Sequence, residues 1–322
     1  MFSGYSTSNY GTTIRRKQTL RTFILLILLV LIVVSSLLLI YLQKSRSSKD
    51  QRDMIRLWQA EDYKGVFDQS SAYLEKKPLD YFLLSIHGFS AYQLAVAQIN
   101  NENMLYYLDD CIWALRKALL SKERARDGRI YYVLGKAYFS KGPDFADLAI
   151  EFLDRAQKAS YKADDLAEYL GLSYAAVKDY RASVAAFSQA LVPSGNDSEK
   201  NENGPNDELL LAIARSYIEL EEYDLALSYL ANCLERSKNF EVIARARLLM
   251  GNIKLKEGKW SEAEQMYLSV IREGGEIADV RFALGELYFE QKENTRARAE
   301  WRKARRIDPN YAPAIARLGQ MN

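Results

Sequence analysis

A hexapeptide returns along this chain with little change. It is LGKAYF at residues 134–139 and LGELYF at 284–289, and a looser version, LGLSYA, occupies 170–175. A motif that recurs in the same phase indicates one structural unit that is stacked several times, and function then resides in the surfaces of the stack. Glycine and tyrosine are three residues apart in each copy, so they share one helix face, where the glycine admits a close neighbour.

The motif extends downstream into a longer frame. In the last copy, Leu284 and Gly285 are followed by Tyr288, and Gly251 of the preceding copy lies 34 residues before Gly285. The later positions of the frame are Ala297, Trp301, Ala304 and Pro309. This pattern resembles the tetratricopeptide repeat, a helix-turn-helix unit with Leu-Gly, Tyr, Ala, an aromatic residue, Ala and Pro in that order. The resemblance implies an all-α, right-handed superhelical solenoid in which each helix pair covers an apolar face of the pair before it.

Seven units fit this frame, five closely and two loosely. The two degenerate units fill residues 47–127, and in the second of them the first helix or the turn is roughly a dozen residues longer than the repeat requires. A polar, turn-rich stretch at 194–207 predicts a surface loop. Residues 312–322 are typical of the helix that caps such an array. The closely fitting repeats fill 128–311 and are 128–163, 164–197, 207–240, 244–277 and 278–311.

The N-terminal part has a different character. Residues 22–42 contain no charged side chain, and a helix of this length matches the hydrocarbon core of a bilayer, so we expect a transmembrane helix that remains as an anchor. A polar and basic tail, 1–21, precedes this helix, and we expect the tail to be disordered. A short linker at 43–53 follows the helix.

Basic residues flank both ends of this expected span. The tail before the span has four basic residues and no acidic one, which favours a cytoplasmic N-terminus. The sequence therefore predicts a single-pass protein of the inner, cytoplasmic membrane with periplasmic or extracytoplasmic repeats. In the alternative topology the repeats are cytoplasmic.

The resemblance also predicts where partners bind. Proteins similar to this family hold peptides or other proteins in a concave groove, which the first helix of each pair lines. Aromatic residues and arginine dominate the positions that we expect to face the groove, a composition typical of protein-binding hot spots. Packing between helices is the alternative role for several of these aromatics. The candidate groove residues are Phe89, Tyr92, Tyr132, Lys136, Phe139, Tyr169, Arg215, Arg245, Asn252, Phe282, Glu286 and Phe289.

A basic run, RARAEWRKARR, occupies residues 296–306 of the last repeat. It falls on the second helix of its pair, which favours a solvated outer face over a contact with anionic lipid or nucleic acid. Glu290, Glu293 and Glu300 lie close enough in sequence to cancel part of its charge. Nucleic-acid binding would require a basic stripe along the groove, whereas the groove is mixed in sign, so we expect no nucleic-acid partner.

The chemical inventory argues against catalysis. The chain has one histidine, His87, and two cysteines, Cys111 and Cys233, which lie on separate repeats and are expected to be buried and unpaired. None of the common nucleotide-binding, nucleophile or metal-binding motifs is present. We therefore expect no enzyme activity, no cofactor and no metal.

These observations predict a membrane-anchored scaffold. Its groove would recruit or organise partner proteins of a cell-envelope complex, of the secretion, envelope-biogenesis or flagellar-motor type, within a larger multi-protein assembly. The alternative is an extracytoplasmic assembly chaperone that holds translocated client proteins.

Overall fold

The computed structural model describes Ser35 and residues 51–121, 127–191 and 206–320. These residues form helices and turns without a β-strand, as expected for an all-α repeat solenoid. The tail 1–21 and the membrane helix 22–42 lie outside the described residues, apart from Ser35, which is helical and exposed. Of the linker expected at 43–53, only residues 51–53 are described, and they are helical. Within the described ranges, no helix is both long enough and apolar enough to cross a membrane.

The chain divides into two compact units, Met1–Ala118 and Leu119–Asn322, here called unit 1 and unit 2. In unit 1 the described helices are α1 (51–59), α2 (Tyr63–Leu74), α3 (Tyr81–Val96) and α4 (Asn101–Ala118). The extra length predicted for the second degenerate repeat is shared between its two helices, since α3 has 16 residues and α4 has 18.

Unit 2 contains the repeats that fit the sequence frame closely. Its first hairpin is joined by a 3₁₀ turn at Pro143–Phe145, where the sequence has two residues more than the repeat. The described helices of unit 2 are α5 (Gly128–Lys141), α6 (Ala146–Lys158), α7 (Leu166–Ala176), α8 (Tyr180–Ala190), α9 (Asp207–Glu219), α10 (Tyr223–Arg236), α11 (Phe240–Lys256), α12 (Trp260–Arg272), α13 (Ala278–Glu290), α14 (Asn294–Ile307) and α15 (Ala312–Gln320).

Within unit 2, odd-numbered and even-numbered helices have different neighbours. Each odd-numbered helix from α5 to α13 packs against the even-numbered helix that follows it, and each one from α5 to α11 also contacts the next odd-numbered helix. The even-numbered helices pack mainly against the odd-numbered helices on either side. Successive odd-numbered helices approach one another more closely than successive even-numbered helices do. The odd-numbered helices therefore form a continuous inner layer.

The glycine of the repeated hexapeptide allows the two helices of a hairpin to approach. A Cβ placed on Gly171 would lie 2.4 Å from the ring of Phe187, and a Cβ on Gly251 would lie 2.4 Å from the ring of Tyr267. Both aromatic rings are fully buried. The glycine therefore fixes how deeply the second helix inserts its aromatic residue, and with it the orientation of the inner helix face.

The two cysteines are buried and unpaired, which confirms the expectation from sequence. Burial raises the pKa of the Cys111 thiol far above its ordinary value, and burial together with Asp207 raises that of Cys233 to about 11. Both thiols are consequently protonated and poorly nucleophilic at neutral pH.

Candidate functional site

A cavity of about 430 Å³ lies in unit 2 on the inner layer, between α11 and α13. We call it the groove cavity. Its volume is in the range of sites that accept a side chain or a small ligand. The apolar residues that line it are Leu248, Leu255, Phe282 and Ala283, and the polar ones are Asn252, Lys256, Asp279, Glu286 and Tyr311.

Helical spacing explains how α11 presents its part of the cavity. Leu248, Asn252 and Leu255 are separated by four and then three residues, so they lie on one face of the helix. Gly251 is on the buried side of the same helix, in contact with the ring of Tyr267 from α12. The packed side thus holds the helix in place while the other side faces the cavity.

Burial separates the base of the cavity from its rim. Ala283 is buried at 8% exposure, and Leu248, Leu255 and Phe282 are half-buried. Lys256 and Asp279 belong to the exposed residues. The site therefore offers an apolar base, with one cation and one anion at the edge.

Hydrogen bonds position the polar groups of the cavity. The Tyr311 hydroxyl donates to Oδ1 of Asp279 at 2.5 Å, and its ring meets Phe282 edge to face at 5.7 Å between centroids. Burial, followed by the Asp279 carboxylate, raises the pKa of Tyr311 well above its ordinary value. Tyr311 is therefore a stable donor at neutral pH and closes one end of the cavity.

Asn252 has one side-chain group engaged and one available to a ligand. Its Oδ1 accepts a hydrogen bond of 2.8 Å from the hydroxyl of Tyr267, whose pKa burial raises. Because the oxygen is held in this way, the amide N–H groups of Asn252 are the ones that can donate to a peptide carbonyl. Together with the apolar base, this arrangement suits one apolar side chain of an extended peptide.

The groove cavity brings together three of the predicted groove residues, Asn252, Phe282 and Glu286. Glu286 is also engaged with the capping helix α15, since it accepts hydrogen bonds from Nε of Arg317 at 2.9 Å and from Nη2. Phe289, a further predicted residue, packs beside Trp301 at 5.7 Å between ring centroids and under the guanidinium of Arg317 at 5.2 Å. The capping helix therefore occupies the contacts of Phe289 and part of those of Glu286.

Four predicted residues of α5 and α7 contact one another. The ammonium of Lys136 lies 5.1 Å from the ring centre of Tyr132 and 4.5 Å from that of Tyr169. The rings of Tyr169 and Phe139 meet edge to face at 5.2 Å. Asp165 accepts hydrogen bonds from Lys136 at 2.8 Å and from the Tyr132 hydroxyl at 2.5 Å. These contacts join two successive repeats, the packing role that the sequence left as an alternative.

The two predicted arginines have different surroundings. Arg245 of α11 is paired with Glu208 of α9 at 3.1 Å and with Glu241 of its own helix. Arg215 of α9 is exposed, and no ion pair joins it to another residue in the part of the chain that the structure describes. Arg215 is therefore the predicted arginine that remains available on the inner layer.

Two predicted groove residues belong to unit 1. Phe89 is half-buried on α3, whereas Tyr92 is only 7% exposed. The structure places Tyr92 in the core of unit 1 rather than on a binding surface. Its position three residues after Phe89 puts both on neighbouring parts of one helix face, which is why the sequence alone did not separate them.

Several residues that line the groove cavity were not predicted from the sequence. Leu248, Leu255 and Lys256 are neither aromatic nor arginine, the residue types that dominate the predicted groove positions. The spacing from Asn252 places the two leucines on its face of α11, one helical turn before and after it, but does not show whether that face is covered. Tyr311 lies in the segment between repeats, where the repeat frame assigns no groove position.

Unit 1 contains a hydrogen-bonded chain that resembles a catalytic triad in residue type. Nδ1 of His87 lies 2.8 Å from the Ser70 hydroxyl, and Nε2 lies 3.0 Å from Oδ2 of Asp110. The His87 ring also stacks on Phe67 at 4.6 Å. Ser70 has no exposed surface and His87 is 2% exposed, so no substrate reaches the hydroxyl in this structure. The Ser70–His87–Asp110 hydrogen bonds instead connect α2, α3 and α4.

Two segments of the chain, residues 207–240 and 248–312, match models of the tetratricopeptide repeat. These matches support the family resemblance seen in the sequence for these two segments. The second segment contains every residue that lines the groove cavity. A search of curated proteins finds no match to this chain.

Solved structures share the fold. The C-terminal part of a TPR repeat-containing protein from Cytophaga hutchinsonii aligns with a TM-score of 0.55 at 15% identity, over 83% of this chain and 98% of that chain. A tetratricopeptide repeat protein from Parabacteroides merdae aligns with a TM-score of 0.55 at 16% identity, over 85% of this chain and 100% of that one. At these identities the likeness is one of fold, an all-α helical repeat solenoid.

Proposed function

We propose that this protein is a membrane-anchored scaffold that recruits or organises partner proteins of a cell-envelope complex through the inner layer of unit 2. The groove cavity between α11 and α13 is the observation that carries the binding role. Tetratricopeptide repeats generally mediate contacts between proteins, and this cavity lies within such a repeat segment. Its apolar base and few convergent polar groups are the features expected of a recognition site.

The partner would enter as an extended segment. One apolar side chain would occupy the space bounded by Leu248, Leu255 and Phe282, while Asn252 donates to the peptide backbone. Lys256 at the rim would add a contact with an acidic neighbour in the peptide. Arg215, exposed on the same layer, would extend the contact toward α9.

Membrane anchorage rests on the uncharged run at 22–42, and the extracytoplasmic side rests on the basic tail before it. An anchor close to the repeats would hold bound partners near the bilayer, which is the reason for proposing an envelope complex of the secretion, biogenesis or flagellar-motor type. The repeats would then act as a stationary platform.

Co-purification from detergent-solubilised membranes tests the binding role. Leu255→Glu introduces a charge at the base of the groove cavity and should abolish recovery of partners that the wild type retains. Leu225→Glu is the matched control, because Leu225 is 45% exposed on α10, and this variant should retain them. Circular dichroism of both variants establishes that the helices are intact. Equal recovery with both variants would exclude the groove cavity as the binding site.

Labelling of an introduced cysteine tests the topology. Gln265 is exposed on α12, and the native Cys111 and Cys233 are buried with raised thiol pKa values, so they give little background. A membrane-impermeant maleimide should label Gln265→Cys in intact spheroplasts. Labelling only after lysis would place the repeats in the cytoplasm.

A further inference from the structure

A second concave site lies at the C-terminal end of unit 2, between α14 and α15. This depression has a volume of about 430 Å³ and is lined by Arg302, Arg305, Arg306 and Leu318. We call these four residues the arginine pocket. It shares no residue with the groove cavity.

The arginines of this pocket differ from most cations around them. Arg281 is paired with Glu300 at 3.0 Å, and Arg296 is paired with Glu293 at 2.7 Å. Among the residues that the structure describes, by contrast, no acidic side chain forms an ion pair with Arg302, Arg305 or Arg306. Their charge is therefore available to a partner.

Acidic residues nearby in sequence do not neutralise the pocket. Glu300, which was expected to cancel part of the basic run, is 8% exposed and is held by Arg281 at 3.0 Å and by Lys303 at 2.7 Å. Residues 294–320 contain seven basic and two acidic side chains, although the whole chain has a net charge of only +2. Positive charge is thus concentrated at this end of the array.

Helical spacing concentrates this charge further. Arg302, Arg305 and Arg306 lie at positions i, i+3 and i+4, so they share one face of α14 and repel one another. The helix C-terminus favours cations in the last turn, which accounts for Arg305 and Arg306. It does not account for Arg302, which lies one turn earlier. Leu318 of α15 supplies an apolar wall opposite them.

We propose that the arginine pocket binds an acidic peptide segment of a partner protein. Guanidinium groups bind carboxylates with two parallel hydrogen bonds, and Leu318 would contact an apolar side chain next to the acidic one. A shallow depression of this size has room for individual side chains, whereas a bilayer surface is flat and a nucleic acid needs an extended basic stripe. The arginine pocket is separate from the groove cavity, so a negative result for the pocket would leave the proposed function of the groove cavity unaffected.

Fluorescence anisotropy with the full-length chain in mild detergent tests this proposal. The probe is a labelled synthetic peptide of alternating glutamate and leucine, and the matched peptide contains glutamine in place of glutamate. Every protein tested carries Leu255→Glu, which closes the groove cavity to the probe. The triple variant Arg302→Gln, Arg305→Gln, Arg306→Gln should weaken binding of the acidic peptide by about tenfold or more, because charge-assisted hydrogen bonds are lost. A control variant with Arg181→Gln, Lys238→Gln and Arg272→Gln removes the same charge from exposed positions in other repeats.

We predict that the control variant binds like the Leu255→Glu parent, that added salt weakens binding, and that the glutamine peptide does not bind. Equal loss in both triple variants would show a general charge effect and overturn it. Binding of vesicles containing phosphatidylglycerol, lost in the arginine variant while the acidic peptide fails to bind, would assign the pocket to lipid instead. Circular dichroism of both variants shows whether the helices remain folded.

Discussion

The indole of Trp301 occupies the space that a side chain on Gly285 would need, since a Cβ at Gly285 would lie 2.5 Å from the indole Nε1 and Cδ1. Trp301 is fully buried, and the same relationship links Gly171 to Phe187 in the α7–α8 hairpin, three hairpins earlier in the array. The recurring glycine of the sequence is therefore the partner of a recurring large side chain on the second helix.

Substituting Gly285 by alanine should destabilise the protein by about 1–3 kcal/mol, because the added methyl forces the indole or the helix to move. Chemical denaturation followed by circular dichroism measures the change. Gly319→Ala is the control, since nothing lies within 4 Å of a Cβ there and the helical glycine of α15 carries only an entropic cost. A loss of stability in Gly319→Ala equal to that in Gly285→Ala would disprove the steric explanation.

The α9–α10 hairpin suggests a rescue of that variant. There Ala214 replaces the glycine, and Leu230 takes the position of the aromatic residue, with both side chains fully buried in one core cluster. The double variant Gly285→Ala, Trp301→Leu should therefore lose less stability than the sum of the losses in the two single variants. A double-mutant cycle measures this coupling, and strict additivity would contradict it.

In the α7–α8, α9–α10, α11–α12 and α13–α14 hairpins, the turn places one residue in the left-handed region of backbone conformation. Gly258 has φ of 72° there, but Lys178 and Lys292 have φ of 64° and 65°. Lys292→Gly should raise the free energy of unfolding by about 0.5–1 kcal/mol, because lysine pays a steric cost in this conformation that exceeds the entropic cost of glycine. The reciprocal Gly258→Lys should lower it. Opposite signs in thermal or chemical denaturation would contradict this interpretation.

The buried chain of Ser70, His87 and Asp110 should contribute to the stability of unit 1. His87→Leu removes the partner of the Asp110 carboxylate and one of the two partners of the Ser70 hydroxyl, which also donates to the carbonyl of Phe67, and we expect a loss of about 1–3 kcal/mol. Ser71→Ala is a milder control, because its hydroxyl bonds only to the carbonyl of Phe67 in its own helix. Unchanged unfolding of His87→Leu would mean that the chain of hydrogen bonds is energetically neutral.

Acid sensitivity should depend on Glu276. Hydrogen bonds from Arg281 hold the pKa of this carboxyl below its ordinary value. Its stabilising contribution is thus complete above the unfolded pKa of about 4.3 and is lost as pH falls through the lower folded pKa. Glu276→Gln should flatten the fall of stability in this acidic range, by a modest amount because the side chain is 58% exposed. An unchanged slope in Glu276→Gln would contradict this role of Glu276.

Sequence reasoning and structure agree best where spacing determines the result. The regular spacing of the Leu-Gly pair and the tyrosine identified the hairpins. A close approach such as that of Gly251 to Tyr267 requires a glycine and a large residue at a fixed separation in the sequence. The groove was harder to predict. Lys136 and Arg245 are residue types common at binding sites. Lys136 instead forms an ion pair with Asp165 and Arg245 with Glu208, each in a neighbouring repeat, and this pairing depends on side-chain geometry.

The base of the groove cavity was missed for a different reason. Leu248 and Leu255 are common core residues, and only the arrangement of α11 beside α13 leaves them half-exposed around a cavity. A sequence shows which face a leucine shares, but whether that face is covered depends on the separation of neighbouring helices. The same limit applies to Glu300, whose burial against Arg281 removes it from the surface charge.

Site-specific photo-crosslinking in intact cells tests the central claim, that partners bind on the inner layer of unit 2. One probe would replace Lys256, which is exposed and lines the groove cavity, and the control probe would replace Gln265, which is exposed on α12. We predict that one or two abundant proteins are captured at Lys256 and not at Gln265. Capture of the same proteins at Gln265 alone would contradict the groove account and move the binding surface to the even-numbered helices.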